Sequence, residues 1–288
     1  MNRFKHQFPV EKMAKVFKVN KSSYYYWQRQ KGGKWEQTNA PILHQIQDIH
    51  AKSNQTYGSP RITRELHKRG WSVSRLRVAR LMRQAGIRSI LKKKFVVTTD
   101  SSNTVRRFDN LLDRDFAPGE PGCVWVSDIT YIATQQGWSY LTTILDLGDR
   151  KVIGWRLSRS LRAADTVLPA WRSSVSTRPL TGPLIFHSDQ GVQYGCDAVR
   201  AEVTKDRRVT QSMSRKGDCW DNAVAESFFK TLKYEWTNRH TYRDHNQAEL
   251  SLFEYIESFY NTKRAHSSLG YLSPNEFTAQ QITKTNAA

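Results

Sequence analysis

The sequence predicts an all-α N-terminal part made of helix-turn-helix units, followed by an α/β domain with a mixed five-stranded sheet and helices. Three observations support this fold class. Apolar residues in the first ninety positions recur at helical spacing. From residue 123 on, β-branched and aromatic residues form short runs that are typical of strands. Nearly all of the excess positive charge lies in the first third of the chain.

Composition indicates a folded protein, with 38% hydrophobic and 25% charged residues among 288. No apolar run approaches the roughly 18 residues that span a bilayer, and the N-terminus lacks the apolar stretch of a secretory signal. Cys123, Cys196 and Cys219 have no CxxC spacing, so we expect neither a disulfide framework nor a zinc knuckle. These features predict a cytoplasmic protein without a membrane partner.

The charge is divided unevenly along the chain. Residues 1–99 hold 22 of the 45 Lys and Arg residues but only four of the 26 Asp and Glu residues, which places +18 of the net +19 there. Such a concentration is typical of a nucleic-acid binder, while a merely solvated basic face is the alternative. A membrane-surface role would require the basic residues on one amphipathic helix, and here they spread over several segments.

Residues 1–30 predict a helix-turn-helix. Pro9 is suited to a helix start, and Val10, Met13, Ala14 and Phe17 form an apolar stripe at helical spacing. A turn at residues 18–20 would lead into a second helix rich in Tyr and Trp. A plain αα-hairpin without DNA contacts is the alternative interpretation.

A linker is predicted at residues 31–41, followed by a second, three-helix unit at residues 42–90. Ser59-Pro60 starts its middle helix, Gly70 ends that helix, and Ser74 is suited to cap the last one. That last helix carries four arginines without an interleaved acid, which suits phosphate and guanine contacts; they are Arg75, Arg77, Arg80 and Arg83. A solvated helix face is the alternative. Residues 91–121 are polar and irregular, and they predict a second linker.

The α/β domain is predicted to occupy residues 122–280, with a tail at 281–288. Its first three strand-like runs are separated by tight turns and predict an antiparallel meander. A helix shortened or kinked by Pro169, a strand, a helix and a further strand follow, and then terminal helices.

Three carboxylates in this domain occupy distinctive positions. Asp128 shares a strand face with buried valines, and Asp189 follows a buried strand directly, where α/β sheets place ligands. Glu226 lies on an amphipathic helix whose face it shares with Lys230 and Lys233, at about 40° and −20° around the axis. Carboxylates that converge from distant points suit a hard divalent cation. The pattern predicts metal-dependent phosphodiester chemistry, although an i, i+4 Glu–Lys surface pair also explains Glu226.

Four long motifs carry a resemblance to a known family: WVSDITYI, HSDQGVQY, SMSRKGDCWDNAVAESFFKTLK and YNTKRAHSSLGYLSPNEF. Together they resemble the OrfB product of bacterial insertion-sequence transposases of the IS-three group, over nearly the whole chain. The resemblance implies a ribonuclease H-like catalytic domain, as in retroviral integrases, with Asp128, Asp189 and Glu226 as a DDE triad. It also implies two Mg²⁺ ions, with Mn²⁺ as a substitute.

The same resemblance implies the partners. They are double-stranded DNA of the element ends and the target, further copies of the chain in a synaptic homo-oligomer, and an upstream helix-turn-helix product or frameshift fusion. The protein would then be associated with the bacterial nucleoid. Lys233 matches a basic position near the DNA end, and Lys216 and Lys230 are assigned to DNA contact with it.

Two departures from the family pattern are visible. There are 36 residues between Asp189 and Glu226, one more than the usual thirty-five, and we place the extra residue in a helix around 197–206. No cysteine precedes residue 123, so the N-terminal zinc unit of retroviral integrases is absent. His187 is expected to position a loop, whereas Arg264 and His266 are assigned either to DNA or to the fold.

The resulting hypothesis is a transposase that cleaves element ends and joins them by strand transfer. Two alternatives remain open. One is a ribonuclease H-like nuclease that does not join strands, and the other is a catalytically inert DNA-binding regulator.

Overall fold

The computed structural model describes residues 1–29, 34–90, 108–117, 119–215 and 218–286. It separates the chain into two units, Met1–Ser89 and Ile90–Ala288. The described part of the first unit is helical, and its α-helices are α1 (Val10–Val16), α2 (Lys21–Arg29), α3 (Lys34–Lys52), α4 (Ser59–Lys68) and α5 (Arg75–Gln84).

Helices α3 to α5 form the predicted three-helix arrangement around a core of apolar side chains. Ile46, Ile62, Leu66 and Val78 are completely buried in it. The Ser74 hydroxyl accepts a hydrogen bond from the Arg77 N–H, which confirms the predicted cap of α5. Of the apolar stripe predicted for the first helix, Met13 and Ala14 are buried, but Phe17 is 59% exposed. Helix α1 ends at Val16, so the chain leaves helical geometry before the stripe reaches its fourth position.

The prediction of a linker at 31–41 is wrong from residue 34 on, because α3 begins at Lys34 and continues through Pro41. A proline inside a helix removes one backbone hydrogen bond. Burial of Ile42, Ile46 and Ile49 on the following turns offsets that loss, since each buried aliphatic side chain contributes about 1.5–3 kcal/mol. Residues 31–33, which include the two glycines, lie outside the described residues.

The second unit contains a five-stranded mixed sheet, as predicted. The strands are β1 (Val124–Thr134), β2 (Gly137–Asp146), β3 (Val152–Ser158), β4 (Leu184–Ser188) and β5 (Val209–Met213), in the spatial order β3-β2-β1-β4-β5. β1, β2 and β3 form an antiparallel meander, whereas β4 runs parallel to β1 and β5 parallel to β4. Gly137 makes the first turn with φ of +117°, a conformation that favours glycine.

Helices and a π-helical segment cover the sheet. They are α6 (Val167–Thr177), α7 (Val192–Gly195), α8 (Asp197–Val203), α9 (Ala223–Glu235), α10 (His245–Phe253), the π-helical Glu254–Tyr260 and α11 (Pro274–Asn286). Pro169 lies in the first turn of α6, so it shortens the predicted helix at its start. One apolar core includes side chains of α9, α10 and the π-helical segment, and a second includes side chains of α6 and α8. Among the described helices none is long and apolar enough to cross a bilayer.

Two further boundary predictions need correction. Residues 108–117, assigned to a linker, pack within the second unit: Leu112 is buried, and the Leu111 N–H donates to the Ser212 hydroxyl at 2.9 Å. The apolar side chains of this segment gain burial there, which the polar surroundings in the sequence concealed. Residues 91–107 and 118 lie outside the described residues. The predicted tail is also wrong at its start, because α11 continues to Asn286.

The motif at residues 260–277 stabilises the fold. Arg264 is buried, and its Nε and Nη2 donate to the two Glu235 carboxylate oxygens, each at 2.7 Å. The Asn261 side chain accepts from the Val152 N–H at 3.0 Å and donates to the Val152 carbonyl at 2.9 Å, which ties the π-helical segment to β3. The structure therefore assigns Arg264 to the fold rather than to DNA. His266 Nε2 accepts from Arg264 Nη1 at 3.2 Å.

Replacing Glu235 with Gln tests this ion pair. The variant leaves the Arg264 guanidinium buried without a counter-ion, so we expect the free energy of unfolding to fall by about 3–5 kcal/mol. Urea unfolding followed by tryptophan fluorescence measures the change. Glu202→Gln is the matched control, because Glu202 pairs with Arg172 at the surface and should cost less than about 1 kcal/mol. Equal losses in the two variants would contradict the structural role.

Candidate active site

Asp128 and Asp189 lie side by side because β1 and β4 are parallel neighbours. Ser127 of β1 is paired with Ser188 of β4, and an aspartate directly follows each of these two serines in the sequence. Adjacent strands are about 4.8 Å apart, so both carboxylates stand at the same level of the sheet. The register is set by buried apolar residues that precede each aspartate, including Val126 on β1.

Both aspartates are held in place by backbone N–H groups. Asp128 Oδ1 accepts from the Ile129 N–H at 2.7 Å, and Asp189 Oδ1 accepts from the Gly191 N–H at 3.0 Å. A Cβ atom at residue 191 would lie only 2.9 Å from Asp189 Oδ1, so a larger residue there would displace this carboxylate. The side-chain orientation of each aspartate is therefore determined locally.

The two carboxylates carry charge that their surroundings compensate poorly. Burial raises the pKa of Asp128 well above its usual range, and the negative charges of Asp189 and Glu226 raise it further. The Ile129 N–H and the Lys233 ammonium act in the opposite direction. Burial also raises the pKa of Asp189. Two acids with raised pKa values at one position mark a site that favours a bound cation.

Glu226 reaches this position through the first turn of α9. The Asn222 Nδ2 immediately before the helix donates to the Ser127 carbonyl at 3.0 Å, next to Asp128. Buried Phe228 and Leu232 hold the helix against the core, and Glu226 stays exposed on the other face. The structure thus brings all three predicted carboxylates to one end of the sheet.

The predicted basic residues differ in their surroundings. Lys233 is half-buried; burial lowers its pKa, while the negative charge of Asp128 raises it. Lys230 is exposed one turn earlier on the same helix. Lys216 lies outside the described residues. In the first unit, Arg75, Arg80 and Arg83 are exposed, whereas Arg77 is half-buried and its Nε donates to Asn39 Oδ1 at 2.9 Å.

The donor set fits a divalent cation with oxygen ligands. Asp128 and Asp189 supply adjacent carboxylates, and Glu226 lies near enough for its charge to act on Asp128. Within the ranges that the structure describes, no group of three or more His, Cys, Asp or Glu side chains is gathered closely enough to hold a metal ion as it stands. The paired aspartates are therefore the preformed part of the site, with Glu226 beside them.

Asp221 anchors the segment that leads into α9, and it does so through a buried ion pair rather than as the N-cap of the helix. Its carboxylate is completely buried and accepts from the Arg215 backbone N–H, Arg215 Nε and Arg215 Nη2, and from Arg114 Nε, all at 2.8–2.9 Å. These hydrogen bonds, chiefly those from Arg215, hold the pKa of Asp221 far below its usual range. We call Arg114, Asp221 and Arg215 the Asp221 cluster. Asp218 caps the short 3₁₀ turn instead.

His187 connects the ends of β4 and β5. Its Nδ1 pairs with the Ser212 hydroxyl at 2.9 Å and its Nε2 with the Ser214 hydroxyl at 3.2 Å. Burial lowers the pKa of His187 to about 4, so the ring is neutral at pH 7. This arrangement fits the expected positioning role rather than that of a metal ligand.

Sequence reasoning missed Tyr194, which lies beneath the two aspartates. The Ser127 hydroxyl donates to the Thr143 carbonyl at 3.0 Å, so the Tyr194 hydroxyl donates to Ser127 at 2.8 Å. Burial raises the pKa of Tyr194 well above 10, and the charges of Asp128 and Asp189 raise it further. Tyr194 belongs to the quoted HSDQGVQY motif, which was the available signal.

Comparison with known proteins shows which families the sequence resembles. Residues 36–95 match the family "HTH-like domain", and residues 118–219 and 207–274 match two families described as "Integrase core domain". The chain is 38% identical over 265 residues to an uncharacterized 31 kDa protein of insertion element IS600 from Shigella sonnei, covering 92% of this chain and 97% of that protein. It is 34% identical over 282 residues to the transposase InsF of insertion sequence IS3A from Escherichia coli, covering 96% and 97%.

The chain belongs to the IS3 family of insertion-sequence transposases.

The expected fold class of this IS3-family chain is thereby confirmed: a ribonuclease H-like integrase core preceded by a helical, helix-turn-helix-like domain. Solved structures with a similar architecture include the HTLV-2 integrase catalytic core, described in complex with magnesium, and the catalytic domain of the Mos1 mariner transposase. The first has a TM-score of 0.42 and 14% identity and covers 55% of this chain and 97% of its own. The second has a TM-score of 0.40 and 14% identity, covering 48% and 71%.

Replacing Asp221 with Asn tests the anchoring of α9. Each hydrogen bond to a charged partner contributes about 1.5–3 kcal/mol, so we expect amide hydrogen exchange at residues 218–226 to accelerate at least about tenfold. Asp113→Asn is the matched control, because Asp113 contacts the same Arg215 at 3.2 Å but is 78% exposed. Unchanged exchange in Asp221→Asn, measured by mass spectrometry, would show that the Asp221 cluster does not hold this segment.

Proposed function

We propose that this IS3-family chain is a DDE transposase that cleaves the 3′ ends of its element and joins them to a second DNA strand. The observation that supports the proposal most strongly is the side-by-side placement of Asp128 and Asp189, with Glu226 beside them on α9. Relatives at 34% identity over almost the full chain are named transposases, and the matched families are integrase cores.

Asp128, Asp189 and Glu226 are the residues that would hold two Mg²⁺ ions, or Mn²⁺ in their place. Such ions, when bound, activate a water or a 3′-hydroxyl and stabilise the attacking and leaving oxygens of an in-line displacement. The chain contributes the orientation: backbone N–H groups fix Oδ1 of both aspartates, which leaves Oδ2 for a ligand. No protein nucleophile is required.

Lys233 is proposed to hold the phosphate backbone beside this centre. Its ammonium is half-buried near Asp128, where a cation retains a strong electrostatic attraction for a phosphate oxygen. Lys230, on the same helix and exposed, and Lys216 in the preceding segment are proposed to contact the DNA further from the reacting bond.

The N-terminal part is proposed to bind double-stranded DNA at the terminal inverted repeats, through two units at residues 1–30 and 42–90. The catalytic core is proposed to occupy residues 122–280. The strongly basic first third of the chain supports this division. Two element ends would be held by a homo-oligomer, and an upstream helix-turn-helix product or fusion would assist end binding. Because the proposed substrates are the DNA of the element ends and of the target, the proposed location is the bacterial cytoplasm, at the nucleoid.

Glu226→Gln tests the reaction. The purified protein is incubated with Mg²⁺ and a labelled duplex that ends in the element's own terminal repeat, with and without the upstream product, and strands are separated on a denaturing gel. We expect cleaved and joined strands from the unchanged protein and at least about a hundredfold less of both from the variant, because one of the carboxylates that would hold the metal ions is lost. Glu202→Gln, on α8, is the control and should retain activity, because Glu202 pairs with Arg172 and belongs to no part of the candidate site.

The outcomes separate the three candidate functions. Joined strands that depend on Glu226 support the transposase. Cleavage without joining would favour the ribonuclease H-like nuclease. Binding without cleavage, even with the upstream product present, would identify an inert DNA-binding regulator and contradict the proposal.

A further inference from the structure

The outward face of α5 has an unusual composition. Around the helix axis, with Leu76 at zero and about 100° per residue, Arg80 lies near 40° and Arg83 near −20°. The buried Val78, Leu81 and Met82 lie between about 140° and 240°. Leu76 and the two arginines therefore form a stripe on the side of the helix opposite the core. We call Leu76, Arg80 and Arg83 the α5 stripe.

The arginines of the α5 stripe have no compensating acid. The acidic side chains that the structure describes in Met1–Ser89 are all engaged elsewhere: Glu11 with Lys21, Asp48 with Lys52 and Arg69, and Glu65 with Lys68. Arg80 and Arg83 form no ion pair or hydrogen bond with any described residue. The stripe therefore presents two guanidinium groups to a partner that supplies negative charge or hydrogen-bond acceptors.

Arg77 and Arg75 are placed differently. Arg77 lies about 100° from Leu76, and its hydrogen bond to Asn39 holds it against α3. Arg75 lies about 100° away on the other side, at the first turn of the helix. The four arginines that the sequence grouped together are thus divided into two on the outward stripe and two on its flanks.

Leu76 is 79% exposed, the largest exposure among the large apolar side chains that the structure describes. Around the helix axis its angle falls between those of the two outward arginines, and along the axis it precedes both, by about one and two turns. A single exposed leucine on a surface needs no explanation. Here, however, the same stripe offers an apolar contact and two guanidinium groups. The major groove of DNA offers partners for both: the 5-methyl group of thymine for the apolar contact, and the O6 and N7 acceptors of guanine for the guanidinium groups.

We propose that Leu76 is a specificity-determining residue that contacts the 5-methyl group of a thymine in the major groove, while Arg80 and Arg83 contact the bases beside it. This inference rests on the proposed function, since it takes the substrate to be double-stranded DNA. The N-terminal position of Leu76 on α5 supports it, because the N-terminal residues of a recognition helix reach base edges. Arg77, in contrast, positions α5 against α3.

Removal of a single methyl group from the DNA tests the proposal. Duplexes are first selected from a randomised library by the full-length protein, and each thymine of the selected site is then replaced in turn by deoxyuridine. We expect one position at which this change weakens binding about fourfold, the factor that corresponds to burying one methyl group. Affinities are measured by fluorescence anisotropy at one fixed salt concentration.

Leu76→Ala completes the comparison. We expect this variant to bind the thymine and deoxyuridine duplexes equally, whereas the control Leu250→Ala, at a 73% exposed leucine of α10, should discriminate as the unchanged protein does. Arg80→Gln and Arg83→Gln should each relax a base preference by about fivefold or more, and Arg77→Gln should not. Circular dichroism spectra confirm that each variant is folded.

Two results would overturn the inference: a fourfold methyl effect that persists in Leu76→Ala, or no methyl effect at any thymine of the selected site. In either case terminal-repeat cleavage that depends on Glu226 would leave the proposed function intact. Failure of the unchanged protein to select any DNA sequence, together with the absence of cleavage, would instead contradict the proposed function itself.

Discussion

The parallel pairing of β4 with β1 is the constraint on which the candidate site depends. It sets Ser127 against Ser188, and this register places Asp128 and Asp189 next to each other. A shift of one residue in either strand would turn one carboxylate to the opposite face of the sheet. Burial of Val126 and Phe186 on opposite faces opposes such a shift, because it would exchange the residues of the two apolar cores.

The helix that carries Glu226 is brought to this pair by polar contacts at its start and apolar contacts along its length. Asn222 binds the β1 backbone, and the Asp221 cluster holds the preceding segment through a completely buried carboxylate. Phe228 and Leu232 then pack on the shared core. Positioning is thus divided: backbone N–H groups orient the aspartates, and the contacts at the start of α9 determine where Glu226 lies.

Much of this could be predicted from local patterns, and the failures have a common cause. Strand runs, the glycine turn and the approximate position of α9 depend on neighbouring residues, and the antiparallel meander and mixed sheet followed from them. The role of Asp221 has no signal in the sequence, because Arg114, one of its two partners, lies 107 residues away in a segment that was predicted to be a linker. Arg264 was left between two roles because its partner Glu235 is 29 residues away. Pairing between side chains that are far apart in the sequence leaves no repeating residue pattern from which it could be predicted.

We propose that Asp128 and Asp189 form the preformed half of a divalent-cation site. Crystals of the protein soaked in Mn²⁺ and measured at the manganese absorption edge test it directly. We expect an anomalous difference peak within about 2.2 Å of a carboxylate oxygen of each aspartate, and we expect this peak to be lost in an Asp189→Asn crystal. Manganese bound only elsewhere, or an undiminished peak in the variant, would contradict it.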